Sequence, residues 1–449
     1  MQASESKIWR HYEAATPGSR AQYDRARQYL PLGTSRSTIS VQPYPIYAAA
    51  ALGCRLTDLD GSSRIDCNNN MTALALGHAH PAVIAAVAEQ LPRGTAYAAP
   101  TALETALAAE LCGRVPSLEK LLFVNSGTEA VIGAVRVARA HTGRAKLGKM
   151  EGGYHGFSDA LMISGKTVAG GNDPDLPRAQ PDLDGIPRGV VDDTVVIRYN
   201  SIASAERVIA EHGPTMAAVL VEPVLGSGGM IPADPDFLAA LRALTHDAGI
   251  LLICDEVITL RVAPGGGQDV YGFTPDLTTM GKIIGGGFPV GAYGGSDAVM
   301  RSFSAPAPGR HAANLGTFAA NPVTLAAGLA TMRAFDAAAI ARLNGLGDRL
   351  RAALRAVAAQ QGLGVQVTGL GSLFHIHFLS DPVRDFRAAR SADAMVQHLA
   401  QLAMANHGVL LAPRCMGCLS TPMGDAEIEA VVAAFSATCS DLATEGWVG

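Results

Sequence analysis

Lys282 stands in the stretch TTMGKIIGGGFPVGAYGG, residues 278–295, among seven glycines. Glycine at this density marks backbone that bends sharply or approaches another group closely. The stretch is therefore a phosphate cradle, a nucleotide fingerprint or a setting for the lysine itself. A lysine at the end of an apolar run can sit in a desolvated pocket, lose its proton and condense with a carbonyl; the ordinary alternative is a solvated surface lysine. Asp255 and Glu256 follow the apolar run ILLIC. Carboxylates at the end of a buried strand call for a cation, a metal or a protonated partner, or else form a structural salt bridge. The third spot is VNSGTEA, residues 124–130, where Asn125 to Thr128 fall between a strand pattern and a helix pattern. Unpaired N–H groups at a helix N-terminus, with small hydroxyls and a glycine, suit a phosphate. Ser126 followed by Glu129 is equally the spacing of an ordinary capping box.

The three spots together match what pyridoxal phosphate requires: an anchored phosphate, an acid that keeps the pyridine nitrogen protonated, and a lysine to condense with the aldehyde. The nucleotide options fail on context. The glycine run opens no helical pattern and has no acidic residue at the required distance on a following strand, and no G-x-x-x-x-G-K-[ST] occurs. Cys415-x-x-Cys418 has no partner pair at zinc-site spacing, so no metal site is expected.

Residues so placed need strands that end together and helices that begin there. HPAVIAAVAEQL and TALETALAAELCGRV read as helices, KLLFVNSG as a strand stopping at a turn, and TEAVIGAVRVARAHTG as a helix ending on Gly143. TVVIRYN, SIASAERVIAEHG, MAAVLVEPV, PDFLAALRALTHDAG and ILLICDEV repeat the alternation. Near-continuous apolar strands between amphipathic helices predict an α/β fold with a mainly parallel sheet covered on both faces. Upstream, RLTDLDGSSRIDCNN carries a hairpin signal at Asp60-Gly61. Beyond Asn321, Ala-rich helices, the strand-like VQVTGLGSLFHIHFL, the helix ADAMVQHLAQLAMANHG, the strand VLLAP and the helix DAEIEAVVAAFSATC predict a smaller α+β domain. The expected division is 1–65 as the N-terminal segment of the small domain, 66–320 as the large cofactor-binding domain and 321–449 as the C-terminal part of the small domain. Residues 164–193, polar and rich in Pro and Gly, read as a functional surface loop.

With 449 residues, 48% hydrophobic and 17% charged, the chain can bury a large core. A net charge of −5 with scattered Lys and Arg leaves no footprint for nucleic acid. The most apolar windows run five or six residues, far short of the roughly 20 that cross a bilayer. The N-terminus lacks the apolar core of a signal peptide, so a cytoplasmic location is expected. Seven cysteines, an odd number spread along the chain, read as reduced thiols.

In order along the chain, GHAHP, NSGTEA, GGYHG, VEPV, CDEV, DLTTMGK, GGGFPVGAYGG and GTFAANP resemble the class III, fold-type I aminotransferases, and among them the glutamate-1-semialdehyde aminomutase-like branch. The resemblance runs from PLGTSRS to the final helix. It implies a seven-stranded-type sheet in the large domain and a small domain built from both chain ends. It implies that Ser126, Gly127 and Thr128 hold the phosphate, that Tyr154 stacks on the ring with His155 beside it, and that Val257 packs on the ring's other face. Asp255 would pair with the pyridine nitrogen, Glu222 would support the site from behind it, and Lys282 would form the Schiff base and act as general base. Thr317 would reach the phosphate of the neighbouring subunit, which makes a homodimer with active sites at the subunit interface the expected form.

TSRS places Arg36, and LAPRC places Arg414, where either could clamp a carboxylate through two parallel N–H bonds. Both patterns, with DEVITLRVAPGG, resemble aminotransferases acting on β-amino acids, β-phenylalanine included; the aminomutases carry an S-P-V-R type pattern at the first position. The expected reaction is therefore ping-pong transfer from an amino acid, β-amino acids among the candidates, to a 2-oxo acid through pyridoxamine phosphate. Aminomutase, racemase or other isomerising or condensing chemistry is the alternative, and a cofactor-bound scaffold without catalysis a third. Asn68, Asn69 and Asn70, with the cysteines of RCMGCLS, stand where relatives carry aromatic or apolar residues and imply a more polar pocket.

Overall fold

The computed structural model of the chain describes residues 3–303 and 312–448 and groups the chain into two units. The larger comprises residues 81–341 and 384–387, and the smaller residues 1–80, 342–383 and 388–449.

The larger unit is built on seven strands: β1 (Lys120–Val124), β2 (Lys146–Met150), β3 (Thr194–Ile197), β4 (Met216–Val221), β5 (Leu251–Asp255), β6 (Leu277–Gly281) and β7 (Gly291–Gly295). Their order is β1-β7-β6-β5-β4-β2-β3, and only β7 runs antiparallel to its neighbours. The reversal follows from the connection. Residues 282–290, which join β6 to β7, are fewer than the dozen or so a parallel crossover needs. Every residue of β4, β6 and β7 is buried, as expected of a sheet covered on both faces. On one face the Gly127–Thr142 helix lays Ala130, Val131, Ala134, Val135, Val137 and Ala138 against Leu147, Ala218, Leu220, Ile253, Leu277 and Tyr293.

The boundaries of the units fall at 80 and 341, not at 65 and 320. The Pro322–Ala334 helix packs on the Pro81–Gln90 and Ala102–Arg114 helices and on the Lys282–Gly285 turn, which holds it in the larger unit. At the other end His78 belongs to the smaller unit: its Nε2 meets Asp66 at 2.7 Å, and its backbone bridges Gly53.

In the smaller unit, Arg55–Asp58 and Ser63–Asp66 form the antiparallel pair signalled by Asp60-Gly61, with Gly61 at φ +82°. Ala48–Leu52 flanks one side of the pair, and Val409–Leu410 pairs in parallel with Ser63–Asp66, so strands from both chain ends share a sheet. VQVTGLGSLFHIHFL is two antiparallel strands, Gln366–Thr368 and Leu373–His377, because Gly369 and Gly371 turn the chain at φ +137° and +56°. The segment 164–193 is tied to itself: the Asp182 carboxylate accepts the N–H groups of Gly165, Lys166 and Thr167 at 2.8 Å each.

Candidate active site

Strand side chains alternate between faces. Leu147, Leu220, Ile253 and Leu277 all face the Gly127–Thr142 helix. Two residues further on stand Lys149 and Thr279 within their strands, Asp255 at the end of its strand and Glu222 just past the end of its own. All four are buried. Asp255 lies opposite Thr279, and Lys149 opposite Leu220. Glu222, Asp255 and Thr279 therefore stand level across three adjacent parallel strands on the face where the helix begins, and Lys149 lies on the fourth, level with Leu220 and one step nearer the strand starts. This is where open α/β sheets present ligand sites.

The helix N-terminus is arranged for an anion. Ser126 caps it at φ −155°, its hydroxyl accepting the N–H of Glu129 at 3.1 Å, while Glu129 returns a carboxylate to the N–H of Asn125 at 2.5 Å. Only the Ser126 half of the predicted capping box is formed, since Glu129 reaches Asn125 rather than Ser126 N, and the N–H groups of Gly127 and Thr128 have no intrahelical acceptor. The backbone around them is packed so closely that side chains are excluded. A Cβ on Gly156 would lie 2.5 Å from Thr128 Oγ1, and one on Gly291 only 2.0 Å from the Ser126 carbonyl oxygen. Gly281 comes close as well, with its Cβ position 3.6 Å from Gly127 N. The glycines flanking Lys282 thus let the β6–β7 hairpin lie directly on the helix terminus.

The charged groups are interlocked. Asp255 Oδ2 meets His155 Nδ1 at 2.8 Å, and Asp255 Oδ1 accepts the N–H of Val257 at 3.1 Å. Burial pushes the His155 imidazole below its ordinary pKa against the opposing pull of Asp255, and the charge of Lys149 lowers it further. A neutral imidazole bonded to an acceptor-only carboxylate carries its proton on Nδ1. Glu222 accepts the N–H groups of Tyr154 and Gly226, each at 3.2 Å. Burial first, and then the charge of Asp255, raise its pKa well above the usual carboxylate range, with Lys282 pulling the other way. Glu222 therefore senses the charges of both Asp255 and Lys282.

Glu256, the neighbour of Asp255, is a loop anchor. Fully buried, it accepts from Thr259 Oγ1, from the N–H groups of Gly267 and Gln268 at 2.8 Å each, and from Gln268 Nε2 at 3.3 Å. Two buried polar atoms near Asp255, the Thr279 hydroxyl and His155 Nε2, have no partner among the described residues.

Lys282 opens the Lys282–Gly285 turn at φ +53°, a left-handed conformation that costs a non-glycine residue energy and clusters at functional sites. Tyr154 and Val257 are half-buried, and Val257 Cγ2 is 3.2 Å from where a Gly127 Cβ would stand. The larger unit thus brings together Ser126, Gly127, Thr128, Tyr154, His155, Glu222, Asp255, Val257 and Lys282. Thr317 is exposed, one residue after Gly316, whose Cβ position is 3.4 Å from Asn125 Nδ2.

Arg36 and Arg414 belong to the smaller unit. Arg36 is exposed, and its Nη1 donates to Asn70 Oδ1 at 2.6 Å. Arg414 is left-handed at φ +62°, and burial lowers its pKa; it lines a small cavity with His375, His377, Arg390 and Gln397. Lys149 and Thr279 went unnoticed in the sequence. Their signal was parity: each lies two residues beyond a leucine of the sheet core.

An open α/β sheet with an anion-ready helix terminus, a buried carboxylate held by histidine and a lysine on a strained turn at the same strand ends defines a fold-type I pyridoxal phosphate enzyme. The sequence model of the aminotransferase class-III family matches residues 37–421, and the chain belongs to that family. It is 39% identical over 426 residues to the glutamate-1-semialdehyde 2,1-aminomutase of Nitratidesulfovibrio vulgaris, covering 94% of this chain and 96% of that protein. Among solved structures it is similar to an omega-transaminase from Sphaerobacter thermophilus, at TM-score 0.90 and 47% identity over 94% of this chain and 97% of that one. It is likewise similar to a β-phenylalanine aminotransferase from Variovorax paradoxus, at TM-score 0.88 and 37% identity over 99% and 98%. A transaminase with pyridoxal phosphate bound matches at TM-score 0.89 and 36% identity over 96% and 99%.

The cofactor is pyridoxal 5′-phosphate, and the residues present fit it. The N–H groups at Gly127 and Thr128 suit its phosphate, the Asp255 carboxylate its cationic ring nitrogen, the Lys282 amine its aldehyde, and the Thr279 hydroxyl is a buried group still in need of a partner.

Proposed function

We propose that this chain is an aminotransferase that moves an amino group from an amino acid, β-amino acids included, to a 2-oxo acid in two half-reactions. The observation that carries this reading is the 47% identity to an omega-transaminase across nearly the whole chain, against 39% to an aminomutase. The S-R-S pattern at Arg36 favours the same side. The aminomutase reading keeps the support of the curated relatives and shares every residue of the site; a racemase or condensing enzyme would share them too.

The bound cofactor supplies an aldehyde that takes up the amino group and a cationic ring that withdraws electrons from the substrate carbon. In the proposed arrangement Lys282 Nζ would hold the aldehyde and, as a free amine, would carry the proton to and from that carbon. Asp255, oriented by His155 Nδ1, would hold the proton on the ring nitrogen. Ser126, Gly127 and Thr128 bind the phosphate, Tyr154 and Val257 bracket the ring, and Glu222 fixes the Tyr154 backbone behind Asp255. Arg36 and Arg414 are the candidates for gripping substrate carboxylates, since a guanidinium offers two parallel donors.

The assembly we propose is a homodimer in which Thr317 reaches the neighbour's phosphate. Its support is the exposed segment around Thr317, where Leu315 and Phe318 present 84% and 60% of their surface; such apolar exposure marks interaction surfaces.

The test follows the absorbance of the bound cofactor after addition of amino donors. A change that only a 2-oxo acid reverses supports amino transfer. A spectrum that returns unaided, with a rearranged or inverted product, would replace it with isomerase chemistry. Lys282→Ala should abolish the band of the covalently held cofactor.

A further inference from the structure

Lys149 lies on β2 with 1% of its surface exposed, opposite Leu220 and so one step before the level of Glu222 and Asp255. Its Nζ donates to two backbone carbonyls, Gly153 at 2.9 Å and Ile163 at 2.5 Å. An ammonium taken out of water is costly, and a methionine would fill the same volume without that cost. Burial accordingly pushes its pKa down to about 8, with Asp182, Glu222 and Glu151 opposing. The two carbonyls mark the ends of the segment that carries Tyr154 and His155. That segment is also joined to its surroundings by Gly153 N to the Met150 carbonyl at 3.0 Å, Tyr154 N to Glu222, His155 to Asp255, the Thr194 hydroxyl to the Ala160 carbonyl at 3.4 Å and Asp182 N to the Met162 carbonyl at 2.9 Å, with Gly152 N meeting the Ser164 carbonyl at 2.7 Å just beyond its ends.

We propose that Lys149 is a positioning residue for the cofactor: its ammonium clamps the carbonyls of Gly153 and Ile163 and so sets where Tyr154 and His155 stand relative to Asp255. The inference rests on the reading above for where the ring sits. The clamp acts through geometry, by fixing the carbonyl immediately before Tyr154. It also acts through charge, by disfavouring a second proton on His155 and so keeping that ring a single donor to Asp255.

Lys149→Met removes the donors at nearly constant volume, and Lys149→Arg keeps donors and charge. In cofactor-free Lys149→Met, hydrogen exchange at residues 152–156 should quicken at least tenfold while the Gly127–Thr142 helix stays as protected as before. The loaded variant should release pyridoxal phosphate at least tenfold faster, with a shifted absorbance maximum, and Lys149→Arg should restore both. Exchange and release within twofold of the parent overturn the proposal, as does an arginine variant that releases the cofactor no more slowly than the methionine variant. Lys149→Gln, which removes the charge and keeps a shorter neutral amide, is read by the same criterion if the methionine variant does not fold. Because exchange is measured without cofactor, it reports on the clamp wherever the ring sits; Asp255→Asn, followed by cofactor affinity, tests the ring's place separately.

Discussion

Gly281→Ala should separate cofactor binding from stability. Gly281 has φ −175°, extended backbone open to any residue, and an added methyl would meet Val290 O at 3.4 Å and the N and Cα of Gly127 at 3.6 Å. These are ordinary contacts, so the fold should tolerate the change, and reduced freedom of the unfolded chain offers about 0.4–1 kcal/mol in return. The same methyl crowds the nitrogen that is to donate to the phosphate. Its acceptor oxygen would need to sit at about 2.7–3.2 Å. A charge-assisted bond of roughly 1.5–3 kcal/mol is at stake, equivalent to a rise of about 10- to 150-fold in Kd. The assay is titration of cofactor-free protein with pyridoxal phosphate, followed by absorbance, alongside thermal unfolding of the same preparation. Gly291→Ala is the contrast. Its methyl would lie 2.0 Å from the Ser126 carbonyl oxygen, so backbone must move, at a cost of about 1–3 kcal/mol, and Tm should fall along with affinity. A Gly281→Ala protein that binds pyridoxal phosphate within twofold of the parent would refute the seating of the phosphate on Gly127.

Three further outcomes are expected. Glu256→Gln should lower the urea midpoint, because one acceptor oxygen becomes a donor facing the N–H groups of Gly267 or Gln268, at about 1–3 kcal/mol for each donor left unpaired; an unchanged midpoint would contradict the anchoring role. Glu222, whose pKa is raised on folding from an ordinary 4.5, binds a proton in the native state over a range where the unfolded chain has lost it. Its stabilising contribution is thus full below about pH 4.5 and lost as pH rises, with a slope of at most about 1.4 kcal/mol per pH unit. Unfolding of cofactor-free Glu222→Gln between pH 5 and 7 should show a flatter decline than the parent, and identical slopes would count against a buried, protonated Glu222. Arg36→Lys should raise KM for carboxylate-bearing donors by about tenfold, because a lysine cannot reproduce the paired bonds; steady-state kinetics with a donor and its decarboxylated analogue would expose the opposite result.

The order of elements was legible along the chain because burial imposes period. Apolar runs such as MAAVLV and ILLIC belong to a sheet covered on both faces, and Ser126 with Glu129 marks a helix start in local chemistry alone. Lys282, Asp255 and the NSGT turn could be singled out for the same reason: a charge or a cluster of small polar residues at the end of an apolar run has few structural explanations. The unit boundaries at 80 and 341 were not legible, since nothing local tells the Pro322–Ala334 helix which neighbours it will pack against. The reversal of β7 was hidden only until the length of its connection was weighed.

What the sequence by itself determined is the inventory: a lysine, a carboxylate and a capped helix start, each at the end of an element with a clear period. What only the tertiary structure decided is their relation. His155 and Asp255 are 100 residues apart in the chain yet meet at 2.8 Å, and Lys149 comes within one pleat step of the Asp255 level because β2, β4 and β5 lie side by side in the sheet. Strand order is set by which faces bury best together across the whole sheet, a long-range property that no window of residues contains. The glycines beside Lys282 show both sides. Their number was visible at once, but their work, letting the β6–β7 hairpin lie on the backbone of Ser126 and Gly127, exists only where those two segments meet.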